Sequence, residues 1–600
     1  MTNPCKKHYL HRSLSIFLGI YLVGGAFLET TASLASPSIP VLNKTVSQFA
    51  ADLAQQPKNS TPQAPLPPPY VYKQPQQNSV EADASKPTPE EAVSPITETT
   101  RISVRTIKVT GSSVFSPQDL NPIVQPYEGR EITLEDLRKA ADEITQLYLN
   151  AGYITSRAIP KTKQLIRGDG VVEIQVIEGR LARIEVEGTQ RLRPSYICTR
   201  VQLGAGIPLS TTKLEKQLRL LRGDPLFQNV EASLQAADEV GQSILTVRVK
   251  EAPAFISSFG VDNYSPPSVG SERLGVDLQY RNPTGIGDAI AGAYYHSTTG
   301  GADIFDFAYR VPLNPMNGTL QLRVAPNRSR ITQEPLKVLD IRGTQRLYEL
   351  NYRQPLVRSP TTEFALALGL SVQNNQSFLG DIPFEVVFPG TISAGRTRVL
   401  KFSQDYLGRD LGGSWTARSQ FSFGLGILDA TIKEHPLPDG RFFAWLGQVQ
   451  RVQKLGNSHL LIIQADTQLT PNSLLPSQQL VIGGGQSVRG YAQNSRTGDN
   501  GIRLSIEDQM TIVRNESGAP TVLLNPFFDM GYVWNVPDNP GTLPNQTFLL
   551  GAGVSLIWEP ALDIKGLSFR FDYGYPFVNL RDRGNNAQDK GFYFSVRYQP

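Results

Sequence analysis

The sequence predicts an all-β transmembrane barrel of sixteen antiparallel strands, preceded by two small α+β units and a proline-rich linker. Three observations predict it. From Phe255 to Pro600, strand-like segments follow one another with apolar and polar residues alternating. The connections between those segments alternate between short and long. Ahead of them, a pattern of strand, helix and paired strands occurs twice in tandem.

Composition sets the bounds. The chain has 600 residues, 40% of them hydrophobic, and a formal net charge of +4. Its length points to more than one domain, and so small a charge gives no ground for a nucleic-acid partner. No apolar run of about 18 residues exists beyond the N-terminus, so helical membrane spans are not expected there. The two cysteines, Cys5 and Cys198, and five scattered histidines offer no metal cluster and no nucleophile–base constellation. No cofactor is expected, and the chain does not read as an enzyme.

Residues 1–35 read as a secretory signal. Lys6, Lys7 and Arg12 precede the apolar "LSIFLGIYLVGGAFL", and "SLA" before Ser36 offers small residues for cleavage after Ala35. A membrane anchor is the alternative reading. Cleavage leaves one cysteine, so no internal disulfide is expected in the mature chain. Residues 36–100 form an N-terminal segment. Ten prolines between Pro57 and Pro95 make an extended linker that cannot build a core. Before it, "TVSQFAADLAQQ" (45–56) spaces Val46, Phe49, Ala50 and Leu53 helically, either as a short amphipathic helix or as accidental periodicity.

The soluble units follow. In the first, residues 101–180, "ISVRTIKVTG" alternates like a strand and "SPQDLNPIVQ" suits a short helix. "TLEDLRKAADEITQLYLNAGY" is an amphipathic helix capped by Thr133 and ended by Gly152. "ITSRAIP" and "VVEIQVIEG" read as strands. The second unit, residues 181–252, repeats the order with "ARIEVEG", the helix "STTKLEKQLRLLRG", and the strands "VEASLQAA" and "SILTVRVKEA".

Residues 253–600 form the barrel. "LSFRFDYGY" puts Leu567, Phe569, Phe571, Tyr573 and Tyr575 on one face, and Ser568, Arg570, Asp572 and Gly574 on the other. One face suits lipid and the other water. "NPTGIG", "LNPMNG", "GNS" and "RNESGAP" are short turns; the stretch from Thr470 to Asn500 is a long loop. Closure satisfies every backbone group without a sheet edge.

This series resembles the outer-membrane transporters of two-partner secretion, the ShlB/FhaC/HecB hemolysin secretion/activation family. Its two small units would be POTRA domains. "YLNAGYITSRAIP" and "VVEIQVIEGRLARIEVEG" match the first POTRA domain and its junction, with Gly152, Tyr153, Arg157, Pro160, Glu178 and Gly179 as the motif residues. "NPTGIGDAI" resembles the first periplasmic turn. "SVRGY" matches the tip of the sixth outer loop through Val488, Arg489, Gly490 and Tyr491, and "FFDMG" matches the F-x-D-x-G strand motif through Phe527, Asp529 and Gly531. "GGGQSVRGY" also suggests a phosphate-binding loop, but no helix or lysine follows it. The resemblance implies instead that the loop folds into the lumen, pairs Arg489 with Asp529 and packs Tyr491 beside the arginine. On that view, reversing both charges should restore what either reversal loses.

The implied function is export of a large secreted exoprotein across the outer membrane, with the POTRA domains in the periplasm capturing the unfolded client. The sequence leaves open whether export also activates that client. Implied partners are the exoprotein, outer-membrane lipid and the barrel-assembly machinery during biogenesis. A plug role for the 45–56 helix comes from the same resemblance. Two features depart from the family: the chain ends in "RYQP" rather than an aromatic, and the second unit lacks Pro-Gly pairs. The competing reading is a barrel-assembly factor, which shares this plan but usually carries more POTRA units. A passive porin would need neither those units nor "SVRGY".

Overall fold

The computed structural model describes residues 101–600 apart from 162–169, 388–393, 434–436, 540–542 and 545. The expected signal, the 45–56 helix and the proline-rich linker lie outside the described residues.

The first unit runs β1 (Arg101–Val104), β2 (Thr106–Thr110), α1 (Pro117–Val124), β3 (Arg130–Thr133), α2 (Leu134–Asn150), β4 (Arg157–Pro160) and β5 (Val171–Ile177). The sheet order is β2-β5-β4. The stretch expected as one strand divides at Arg105. There, the N–H groups of Arg105 and Thr106 both donate to the Gly170 carbonyl, which frees β1 to pair with β3. Helix α2 starts with a reciprocal cap between Thr133 and Asp136. Its buried stripe, Leu137, Ala141, Ile144 and Tyr148, packs on Val172 and Ile174 of the sheet.

The second unit runs β6 (Arg180–Glu187), α3 (Pro194–Gln202), α4 (Thr211–Arg222), β7 (Phe227–Ala236) and β8 (Gln242–Glu251), with sheet order β6-β8-β7. Helix α3 was not evident from "PSYICTRVQ", whose β-branched residues weaken the helical signal. Tertiary burial of Tyr196, Ile197 and Val201 holds it. The tandem relation is visible in two glycines that end β2 and β6. Gly111 and Gly188 take φ of 83° and 86°, and a Cβ on either would lie 2.3 or 2.1 Å from the carbonyl oxygen of Val176 or Val249.

The barrel comprises β9 (Phe255–Asp262), β10 (Arg273–Arg281), β11 (Ala289–Ser297), β12 (Ala302–Pro312), β13 (Thr319–Arg330), β14 (Ile341–Arg358) and β15 (Thr362–Leu379). After a two-residue β16 (Ile382–Pro383) it continues with β17 (Ala394–Asp410), β18 (Gly413–Gly424), β19 (Phe443–Lys454) and β20 (His459–Leu469). A loop ribbon of β21 (Leu480–Ile482) and β22 (Arg496–Gly498) precedes β23 (Asn500–Arg514), β24 (Pro520–Trp534), β25 (Phe548–Trp558), β26 (Leu567–Pro576) and β27 (Phe592–Tyr598). Apart from β16 and the ribbon, sixteen antiparallel strands close on themselves, β27 pairing with β9. Side chains sort as the alternation requires. On β26, Phe569, Phe571, Tyr573 and Tyr575 are exposed outward, whereas Asp572 is fully buried on the inner side.

Candidate functional site: an arginine loop seated on the barrel wall

The loop between β20 and β23, residues 470–499, connects the eleventh and twelfth barrel strands. Its ribbon pairs Leu480–Ile482 with Arg496–Gly498, so the intervening tip is presented as a unit. Asp499 fixes the loop's base by accepting from the N–H groups of Leu474 and Val536 and from the amide of Asn539.

The tip bears on three inward residues of β24. Phe528 and Tyr532 are 39% and 40% exposed on the outer face, so the period of two turns Phe527, Asp529 and Gly531 into the lumen. Each meets the loop differently. The Arg489 guanidinium carbon lies 3.4 Å from the Phe527 ring centroid. Arg489 Nε donates to Asp529 Oδ2 at 2.6 Å and Nη2 to Oδ1 at 3.0 Å. A Cβ at Gly531 would lie 3.0 Å from side-chain carbons of Ile482 and Val488, so glycine makes room for the loop's apolar residues. The neighbouring wall is bare for the same reason. A Cβ at Gly551 would sit 2.0 Å from the Arg489 carbonyl oxygen, and one at Gly574 would sit 2.5 Å from the Gly490 nitrogen. Gly490 itself takes φ of 104°, which favours glycine.

The ring stacked on the guanidinium is that of Phe527; Tyr491 lies further along the loop. It packs with Ile482, Val488, Val533 and Leu549, and its hydroxyl donates to the Leu550 carbonyl at 2.8 Å. The turn at Gly490 carries residue 491 towards β25.

Several partners escaped the sequence reading. Arg489 Nη1 donates to Glu507 of β23 at 2.7 Å and to Ser555 of β25 at 3.3 Å, and lies 3.8 Å from Asp572 of β26. Arg570 pairs with Asp572 at 2.8 Å and reaches Glu507 at 3.6 Å. Tyr593 of β27 accepts from the Gly490 N–H at 2.9 Å and donates to the Tyr491 carbonyl at 2.5 Å. The available signal was the inward polar face of each strand. "RLSIED" and "SFRFD" place Glu507 and Asp572 at alternating positions, but the strand neighbours were needed to bring them together.

Of the POTRA motif residues, Gly152 and Gly179 contact the second unit and the others contact their own unit; the loop site lies elsewhere. The Gly152 carbonyl accepts from both the N–H and hydroxyl of Thr211, and the Gly179 carbonyl accepts from Leu209 N–H at 2.7 Å. A Cβ at Gly179 would overlap the Thr155 hydroxyl at 1.9 Å. Tyr153 sets its ring centroid 5.9 Å from that of Tyr148. Arg157 and Pro160 lie on β4, paired with Ile177 and Ile174. Glu178 accepts from the Tyr148 hydroxyl at 2.9 Å and from the Ser113 N–H and hydroxyl. Burial alone would raise its carboxyl, but those donors outweigh burial and hold it below the ordinary glutamate range. Burial pushes the Tyr148 phenol up to about 12.

The second unit docks on the barrel's short turns at 282–288 and 313–318. Arg193 N–H donates to Gly285 O at 2.9 Å, and a Cβ at Gly287 would lie 2.3 Å from the Tyr196 ring. Arg200 stacks on Tyr196, 3.4 Å from its ring centroid, and reaches Asn317 of the next turn at 3.3 Å.

A family model described as "Haemolysin secretion/activation protein ShlB/FhaC/HecB" matches residues 241–557, and a "POTRA domain, ShlB-type" model matches 102–179. The outer membrane transporter CdiB of Escherichia coli is 26% identical over 438 residues, 70% of this chain and 71% of its own. The heme/hemopexin transporter protein HuxB of Haemophilus influenzae is 23% identical over 470 residues, 74% of this chain and 78% of its own. The solved structure of CdiB from Escherichia coli superposes with a TM-score of 0.62 at 23% identity, covering 86% of this chain and 93% of that one. On the family match and the barrel that carries it, the chain belongs to the haemolysin secretion/activation family ShlB/FhaC/HecB.

Proposed function

We propose that this chain captures one unfolded exoprotein in the periplasm and conducts it through the barrel lumen as the arginine loop withdraws. The chain is an outer-membrane two-partner secretion transporter, with its POTRA domains in the periplasm. The finer steps form our reading. We assign residues 101–180 and 181–252 to the two POTRA domains and 253–600 to the barrel. We read Val488, Arg489, Gly490 and Tyr491 as the latch, and Phe527, Asp529 and Gly531 as its seat.

The observation that carries this reading is the direct seating of the second POTRA domain on the turns at 282–288 and 313–318, the rim of the lumen. A client captured there is already at the entrance. Strand β7 is an edge of its sheet, pairs only with β8 among the described residues, and is largely exposed. An extended peptide can add to such an edge through backbone bonds. The arginine loop then stands in the path, held by non-covalent contacts that can be broken and remade.

The proposed transporter performs no chemistry of its own; binding and folding of the client outside supply the direction. Outer-membrane lipid is its second partner, against a band that includes Leu278, Phe307, Tyr352 and Phe571. The barrel-assembly machinery is its third, during insertion. Deleting the gene and measuring both the medium and the other outer-membrane barrels tests the reading. Loss of one large exoprotein from the medium supports export. A collective fall of many barrels supports the assembly-factor alternative instead.

A further inference from the structure

Three carboxylates converge on one point of the inner wall, and a guanidinium fills it. Asp529 and Asp572 are completely buried and Glu507 is 9% exposed. Their oxygens lie 2.6, 3.8 and 2.7 Å from Arg489. The socket has the form of its occupant. Asp529 accepts two parallel bonds, Glu507 accepts a third from another nitrogen, and the flat face of Phe527 supports the guanidinium. One acceptor remains unused. Asn525 is completely buried, its amide donates to Glu507 at 2.9 Å, and its Oδ1 receives no donor among the described residues.

Among the described residues, Arg489 is what the loop contributes to the socket. When the loop withdraws, Arg570 is left opposing three carboxylates on the lumenal face of the wall. Like charges held so close repel one another at a cost in free energy. A cation arriving from elsewhere offsets the cost, and the fork and stacking geometry select a guanidinium over an ammonium.

We propose that the seat vacated by Arg489 binds arginine side chains of the polypeptide in transit, each taking the place of the loop's own arginine. This rests on the reading that the client passes through the lumen as the loop leaves it. Exchange of one guanidinium for another lets the loop leave without stranding the carboxylates. It also gives the wall a weak, repeatable grip, which conduction past a binding site requires.

The test uses the full-length protein in planar bilayers, with short glycine–serine peptides added from the periplasmic side. One peptide carries a single arginine, one a lysine, and one the uncharged isostere citrulline. Blockade by the arginine peptide is expected to outlast that by citrulline about tenfold, with lysine between them. In Asp529→Asn the arginine advantage should shrink. A second measurement needs no peptide. Channels of Arg489→Ala should be returned towards the quiet state by millimolar guanidinium ion, and much less by equimolar ammonium. Equal dwell times for arginine and citrulline overturn the socket and leave export standing. Equal dwell times for arginine and lysine overturn the guanidinium assignment. If no peptide enters at all, the lumenal-transport reading fails and carries this one with it.

Discussion

Arg489 and Asp529 meet through three bonds: Nε and Nη2 donate to the two carboxylate oxygens, and the Arg489 backbone N–H donates to the same carboxylate at 3.1 Å. A loop residue is thereby fixed to the wall by its main chain as well as its side chain. Ser505 supplies a further donor to Asp529 at 2.6 Å, so the acceptor is held before the loop arrives.

Charge exchange between these residues is therefore expected to fail. Sequence reasoning favoured rescue by reversal at both positions, but the seat is not a pair. An aspartate at 489 would face Glu507 and Asp572, so Arg489→Asp with Asp529→Arg should remain as impaired as either change alone. Removing one partner, as in Arg489→Ala, should destabilise the docked loop by about 3–5 kcal/mol. Melting of the purified barrel and exoprotein in the medium are the measurements. Full recovery by the double exchange would show that Glu507 contributes nothing.

Tyr593 should matter without touching the salt bridge. Its hydroxyl serves the Gly490 N–H and the Tyr491 carbonyl, and Tyr593 is completely buried. Tyr593→Phe leaves both groups unpaired, at a cost of about 1–3 kcal/mol. The expected result is faster proteolysis within the loop while the barrel stays folded. Unchanged cleavage would mean the two bonds are not what holds the tip.

The turn at Gly287 is expected to couple the POTRA domains to the barrel. Gly287 takes φ of 84°, and an added Cβ meets the Tyr196 ring. Gly287→Ala should cost about 1–3 kcal/mol at this joint. Amide exchange in α3 should speed up and export should fall, with barrel melting unaffected. Gly292→Ala on β11 is the control, since a Cβ there meets nothing within 4 Å.

Acid should loosen the segment leading into α3, next to that joint, through Glu251. One of its oxygens accepts from the N–H groups of Gln190, Arg191 and Leu192. Burial opposes ionisation, but these bonds and the Arg191 charge outweigh it and hold the carboxyl below its ordinary value of 4.5. A depressed carboxyl stabilises the fold above its unfolded value and loses that contribution as pH falls through the folded one. Protection of amides 190–192 should therefore decline only below the ordinary glutamate range. Glu251→Gln should lose about 1–3 kcal/mol at neutral pH and flatten the acid response. An acid response identical to wild type would assign it to another group.

The sequence by itself determined the sixteen barrel strands, their faces and the presence of two α+β units. Those features follow from local period, as in the alternation of Phe569, Phe571 and Tyr573 with Arg570 and Asp572, and from local caps such as Thr133–Asp136. The resemblance to the family marked Arg489 and Asp529, because each sits in one of its short motifs. The sequence did not reveal helix α3, which depends on burial of Tyr196 and Ile197 against the rest of its unit. Nor did it reveal Glu507, Ser555, Asp572 and Tyr593 as partners of the loop, or Gly287 as a seat for Tyr196. Those contacts join strands up to about a hundred residues apart, as between Gly490 and Tyr593. Only the pairing of the strands, which sets their order and register, decides which inward side chains share a point on the wall.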